Sequence, residues 1–176
     1  TAVLAACAQA PQKPEPAKTA ATTPAAQHVN PFLAASTLPF QAPPFDKITD
    51  ADYQPAIEEG MRQQIAEVGG IANDPAPPTF ENTYVALEKT GALLTRVMTA
   101  FNGVSGANTN DTLQALQETE APKLAAHQDA IYLNDKLFAR IDAVYNERAK
   151  LKLDPESLRL VEVVHANFVR AGAKLS

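Results

Sequence analysis

Residues 79–101 read TFENTYVALEKTGALLTRVMTAF. Phe80, Tyr84, Leu87, Gly91, Leu94, Met98 and Phe101 follow one another at alternating spacings of four and three. That mean period, near 3.5 residues, predicts a helix with coiled-coil-like packing. Thr79 is a good N-cap for it. Gly91 falls on the seam, where the absence of a side chain admits a close neighbour. The polar stretch 105–110 then breaks the run.

Helical signals continue on both sides of this stretch. Thr49 followed by Asp52 marks a helix start, with an acid at the positive end of the dipole. Tyr53, Ile57, Met61, Ile65 and Val68 form one face of that helix. Gly69 and Gly70 weaken its end, and residues 73–78 (NDPAPP) stop it. A third helix spans 111–133, with Leu113, Leu116, Leu124 and Ile131 on its apolar side. Pro122 inside it predicts a kink or a new start. Leu137, Phe138, Ile141, Val144 and Tyr145 define a fourth helix. Asp154-Pro155-Glu156 opens a fifth, with a cap, a proline at the first position and an acid in the first turn. Leu158, Val161, Val164, His165 and Phe168 are its inner face. No segment shows strand alternation. The expected fold class is all-α, antiparallel helices joined by short loops.

The region before Thr49 divides in three. Residues 1–7 (TAVLAAC) resemble the end of a secretory signal, and Leu4-Ala5-Ala6-Cys7 resembles a bacterial lipobox. Cys7 is therefore a candidate lipid attachment site, anchoring the protein to a membrane in the periplasm. The alternative is an ordinary cysteine in an Ala-rich leader of a cytoplasmic protein. Residues 8–29 are rich in Ala, Pro, Thr, Lys and Gln, cannot bury a core, and read as a disordered tether. Residues 30–47 hold Pro31, Pro39, Pro43 and Pro44, yet also Phe32, Leu33, Leu38, Phe40 and Phe45. So many apolar anchors predict a strap packed across a helical surface. The helical region is thus expected over 30–176.

Composition narrows the function. The chain has 176 residues and a formal net charge of −5, with no dense basic run, which argues against a nucleic-acid partner. One cysteine permits neither an intrachain disulfide nor a CxxC metal clip. No apolar run is long enough to span a bilayer. A zinc hydrolase would present HExxH on a helix, but none of His28, His127 and His165 begins that motif. Glu162 and His165 form one E-x-x-H pair. A di-iron bundle needs two such pairs and two further glutamates, so this pair reads as a polar contact. No G-x-S-x-G elbow, P-loop or Cys–His arrangement is present. No catalytic or metal-binding residue is expected in this chain.

Many separate blocks, in order, carry a family resemblance. They include Asn30-Pro31-Phe32-Leu33, residues 38–48 (LPFQAPPFDKI), 78–83 (PTFENT), 91–97 (GALLTRV), 107–110 (ANTN), 131–134 (IYLN), 137–140 (LFAR), 159–165 (RLVEVVH) and 168–175 (FVRAGAKL). Together they resemble the opening of enzymes of the thimet-oligopeptidase family of zinc metallopeptidases, and within it the peptidyl-dipeptidase branch. The resemblance covers 30–176. It implies a two-lobed helical enzyme around a deep channel. Zinc there is held by the HExxH histidines and a downstream glutamate, and dipeptides are released from peptide C-termini. In relatives these groups lie beyond the stretch matched here, so no site residue is carried over. The resemblance implies short peptides as substrates of the parent. It also implies the remaining catalytic part of the same chain as partner. These helices are expected to wall the substrate channel and to be inactive alone. Residues 172–176 show no strong terminator, and the chain reads as an N-terminal fragment. A self-contained helical adaptor binding a partner helix is the alternative.

Overall fold

The computed structural model describes residues 28–175. Cys7 and the greater part of the expected tether lie outside the described residues. Helices run over Asp50–Ala72 (α1), Ala86–Glu88 (α2), Ala92–Ala107 (α3), Asp111–Tyr132 (α4), Asp135–Glu147 (α5) and Pro155–Ala171 (α6). A π-helical stretch, Phe80–Val85, leads into α2, and 3-10 turns occupy Pro31–Leu33 and Pro39–Gln41. No strand occurs among the described residues, so the chain is all-α as expected.

The helix starts follow local chemistry. Asp52 Oδ2 accepts from the Thr49 amide at 2.7 Å and from its hydroxyl at 2.8 Å, closing the first turn of α1. Thr79 and Asn82 form a reciprocal capping box, with Asn82 N donating to Thr79 Oγ1 and Thr79 N to Asn82 Oδ1. Asn110 caps α4 through Leu113 N, Asn134 caps α5 through Leu137 N, and Asp154 caps α6 through two amides.

Several expectations are corrected. The periodic run 79–101 is not one helix. It breaks at Gly91, which takes φ +71 and starts α3. The left-handed turn is held by Gly91 N donating to Glu67 Oε2 at 2.8 Å. A Cβ at Gly91 would come within 2.5 Å of the Gln64 side chain, so the close approach expected there is real. Pro122 neither ends nor restarts α4, which runs unbroken through it. α3 continues to Ala107, past the expected break at 105. Ile65 is exposed rather than on the inner face of α1. Gly172 does terminate α6: it takes φ +102, and Ala173 N and Gly172 N donate to the Phe168 and Val169 carbonyls. That is a Schellman ending.

The strap is also different. Only Phe32 is buried, against Tyr53 and under the Arg96 guanidinium, which donates to its carbonyl at 2.7 Å. Leu33, Leu38, Phe40 and Phe45 face outward. Phe40 and Gln41 both take left-handed φ, 58° and 56°. Such residues cost on the order of 1–3 kcal/mol each and persist where surrounding bonds enforce them. Here Ser36 Oγ donates to Ala42 O and accepts from Leu38 N, closing the loop that carries them.

Two apolar cores result. The first joins Phe32, Tyr53, Ile57, Val97, Phe101 and Leu113. The second joins Val68, Tyr84, Leu137, Ile141, Val161 and Phe168. α1 and α4 are long enough to contribute to both, which is what unites the molecule. Gly60 sits where α1 crosses α3 so closely that a Cβ there would meet Leu94 Cα at 2.8 Å.

Candidate functional site

Between the two cores the facing helices leave a cleft of about 420 Å³. Gln64 of α1, Thr90, His127 of α4 and Asn167 of α6 give it a polar side; Leu94, Ile131 and Phe168 give it an apolar one. His127, Gln64 and Thr90 form a chain. His127 Nε2 lies 2.8 Å from Gln64 Oε1, which assigns the ring proton to Nε2. Gln64 Nε2 donates to Thr90 Oγ1 at 3.3 Å, and Thr90 Oγ1 donates to the Leu87 carbonyl at 2.8 Å. Burial pushes the His127 pKa down, which favours the neutral ring. The chain ends on a backbone carbonyl, and its one hydroxyl, Thr90 Oγ1, gives its proton to that carbonyl rather than to the His127 ring. It pins α4 to α1 and to the turn before α3.

The other histidines are engaged elsewhere. His28, placed by sequence in the tether, approaches buried Asp52 at 2.7 Å, while Asn30 Nδ2 donates to the Asp52 carbonyl. Burial alone would raise the Asp52 pKa. The Thr49 and His28 bonds outweigh it and hold the carboxyl below its ordinary range. His165 is buried, lies 2.8 Å from Asp142 Oδ1, and stacks on Tyr145 at 3.7 Å between ring centres. The His165 bond lowers the Asp142 pKa. Glu162, the other half of the E-x-x-H pair, turns instead to Arg159 on its own helix. Each histidine thus has a different partner. No group of three or more His, Cys, Asp or Glu among the described residues could hold a metal ion. The residues described here do not fit zinc.

Sequence reasoning missed three buried charged groups. Glu120 is 1% exposed and bonds Lys123, which also reaches Glu58 and so ties α4 to α1. It stands four residues from both Leu116 and Leu124, so the apolar stripe of α4 already pointed to it. Arg140 is 8% exposed and donates to the Asp74 and Ala76 carbonyls at 2.8 and 2.9 Å, clamping the loop 73–78 onto α5. Asp52 was read as a first-turn acid only. Nothing local distinguishes Arg140 from a solvated charge, because its partners are distant in sequence; the Thr49–Asp52 spacing marks the cap but not the His28 and Asn30 bonds, which come from an irregular segment.

No protein-family model matches the chain. It is similar to a protein named dipeptidyl carboxypeptidase from Salmonella typhimurium, 54% identical over 147 residues, which is 84% of this chain and 22% of that protein. It is similar to the Escherichia coli protein of the same name, 53% identical over 148 residues and again 22% of its length. The chain thus spans between a fifth and a quarter of the length of the curated relatives it matches.

Proposed function

The chain is a relative of the dipeptidyl carboxypeptidases, and from that kinship we propose that it forms a helical, non-catalytic portion of such a peptidase. The observation that carries this reading is the identity of 53–54% over 84% of the chain. The internal chemistry supports it. The His127–Gln64–Thr90 chain and the His165–Asp142 pair each join one helix to another element of the fold. In this reading the helices wall the channel of a two-lobed zinc enzyme, limiting access to short peptides. The zinc and the water-activating carboxylate belong to the remainder of the polypeptide. A lipid on Cys7 would hold the enzyme at a membrane of the periplasm by burying its acyl chains.

The test is dipeptide release from short peptides, followed by mass spectrometry. The polypeptide encoded by the complete reading frame should release C-terminal dipeptides in a zinc-dependent way, and the 176-residue chain alone should release none. Hydrolysis by the isolated chain would refute its passive role. A complete frame without peptidase activity would refute the kinship-based reading and favour an adaptor. Removing residues 50–107, which hold α1 to α3, from the complete polypeptide should impair folding or alter the accepted substrate size. Unchanged stability and kinetics would remove the channel-wall assignment.

A further inference from the structure

One surface is built for contact and is bare. Phe40 is fully exposed at the tip of the loop closed by Ser36. It does not dangle: Gln41 N donates to the Leu38 carbonyl at 2.9 Å and Ala42 N to the Pro39 carbonyl at 3.2 Å, so the ring is presented on a hydrogen-bonded turn. Beside it runs a groove of about 520 Å³ between this loop and the outer side of α3. Ala92, Thr95 and Thr99 form its helical wall, and Gly103 and Gly106 continue the same stripe, all exposed. A Cβ at either glycine would meet nothing within 4 Å. The Thr99 hydroxyl is turned onto the Thr95 carbonyl at 2.7 Å, so its polarity is satisfied within the helix. Arg96 is the single charged residue in the whole of α3, and it is committed to the Phe32 carbonyl.

An aromatic knob beside an uncharged stripe of small residues suits a packed helix. The small side chains let a second backbone approach, and Phe40 supplies a large apolar anchor at its edge. We propose that this face is the seat of a helix from the remainder of the same polypeptide, with Phe40 buried against it. This rests on the functional reading above. The relatives are several times longer than the matched segment, of which 147 residues make up 22%, so most of such a protein lies outside this chain. Phe40 and three other exposed apolar residues of the same segment, Leu33, Leu38 and Phe45, are the kind of surface that such a contact would cover. A lipid surface fits less well, since of the two basic residues lining the groove Arg96 is committed to the Phe32 carbonyl and Lys89 stands beside Glu88.

The experiment places the photo-crosslinker benzoylphenylalanine at position 40 of the polypeptide encoded by the complete reading frame. Illumination should give an intramolecular crosslink to a peptide beyond residue 176. Phe40→Asp in the same polypeptide should lower its melting temperature by several degrees, although an exposed residue contributes little to the folding of these helices themselves. No crosslink, a crosslink to a second copy, or a crosslink to lipid in membrane preparations would each overturn the assignment. So would an unchanged melting temperature. Peptidase activity is scored on the same preparation. An active enzyme without the crosslink sinks this surface alone, whereas an inactive one sinks the functional reading.

Discussion

Adding one methyl group at Gly60 tests the central packing of the molecule. The new Cβ would lie 2.8 Å from Leu94 Cα, 2.9 Å from its nitrogen and 3.0 Å from its Cβ. Ordinary carbon contacts are about 3.5–4.0 Å, so the shortfall is about 0.7 Å. The nearest atoms are backbone and cannot rotate aside, so α1 and α3 must separate. That separation loosens Ile57, Val97 and Phe101, which pack in the same core. Overpacking of this kind costs about 1–3 kcal/mol, and rigid backbone on the receiving side puts Gly60→Ala in the upper half. Replacing glycine in a helix returns about 0.5–1 kcal/mol. The expected net loss is about 1–2.5 kcal/mol, or about 2–10 °C in melting temperature for a domain of this size. Gly103→Ala in α3 is the matched control: its added Cβ meets nothing within 4 Å, so it should stabilise the isolated chain by about 0.5–1 kcal/mol. Urea denaturation followed by circular dichroism measures both. Equal effects of the two substitutions would refute the argument that the α1–α3 crossing is limited by backbone contact.

Arg140→Lys should cost about 2–3 kcal/mol, because the shorter lysine ends one atom short of the Nη1 that donates to both the Asp74 and Ala76 carbonyls and loses the Nη2 contact with the Asp74 carboxylate; faster proteolysis at 73–78 would accompany it. Tyr84→Phe should cost about 1 kcal/mol through loss of the buried bond from its hydroxyl to the Ile141 carbonyl, and Tyr84→Ala about 3–5 kcal/mol, both read from urea melts. Asp142 and Asp52 have folded pKa values below the ordinary carboxylate value of about 3.9, so their stabilisation is fully present above it and is lost as pH falls through the folded values. Stability should therefore decline on acidification below about pH 4, and Asp142→Asn should flatten that decline. A slope unchanged by Asp142→Asn would show that the His165 contact does not persist in solution.

The helices were legible because their signals are local. Thr79 and Asp154 cap by their own side chains, Thr49 is tied to the first turn through the Asp52 carboxylate, and Asp154-Pro155-Glu156 starts α6 where it was expected. The inner faces of α5 and α6 follow from spacing alone: Leu137, Ile141 and Val144 are buried, as are Val161, His165 and Phe168. The candidate site was less legible. His127, Gln64 and Thr90 come from three elements and give no common pattern along the chain. Glu162 and His165 shared a spacing, but each found a nearer partner than the other.

What the amino-acid sequence determined by itself was the all-α class, the helix starts and most of the inward stripes, because caps and periodicity act within a few residues. The tertiary structure decided the rest. The 3.5-residue period through 79–101 is compatible with one helix; the bond from Gly91 to Glu67 and the Gln64 side chain beside it break it in two. The apolar strap could have been wholly buried, yet only Phe32 finds a pocket, between Tyr53 and Arg96. Burial is a property of the surface that faces a residue, and that surface is assembled from elements far away along the chain. Hydrophobicity alone could mark Phe32 and Phe40 as equals; the fold buries the first and leaves the second outside.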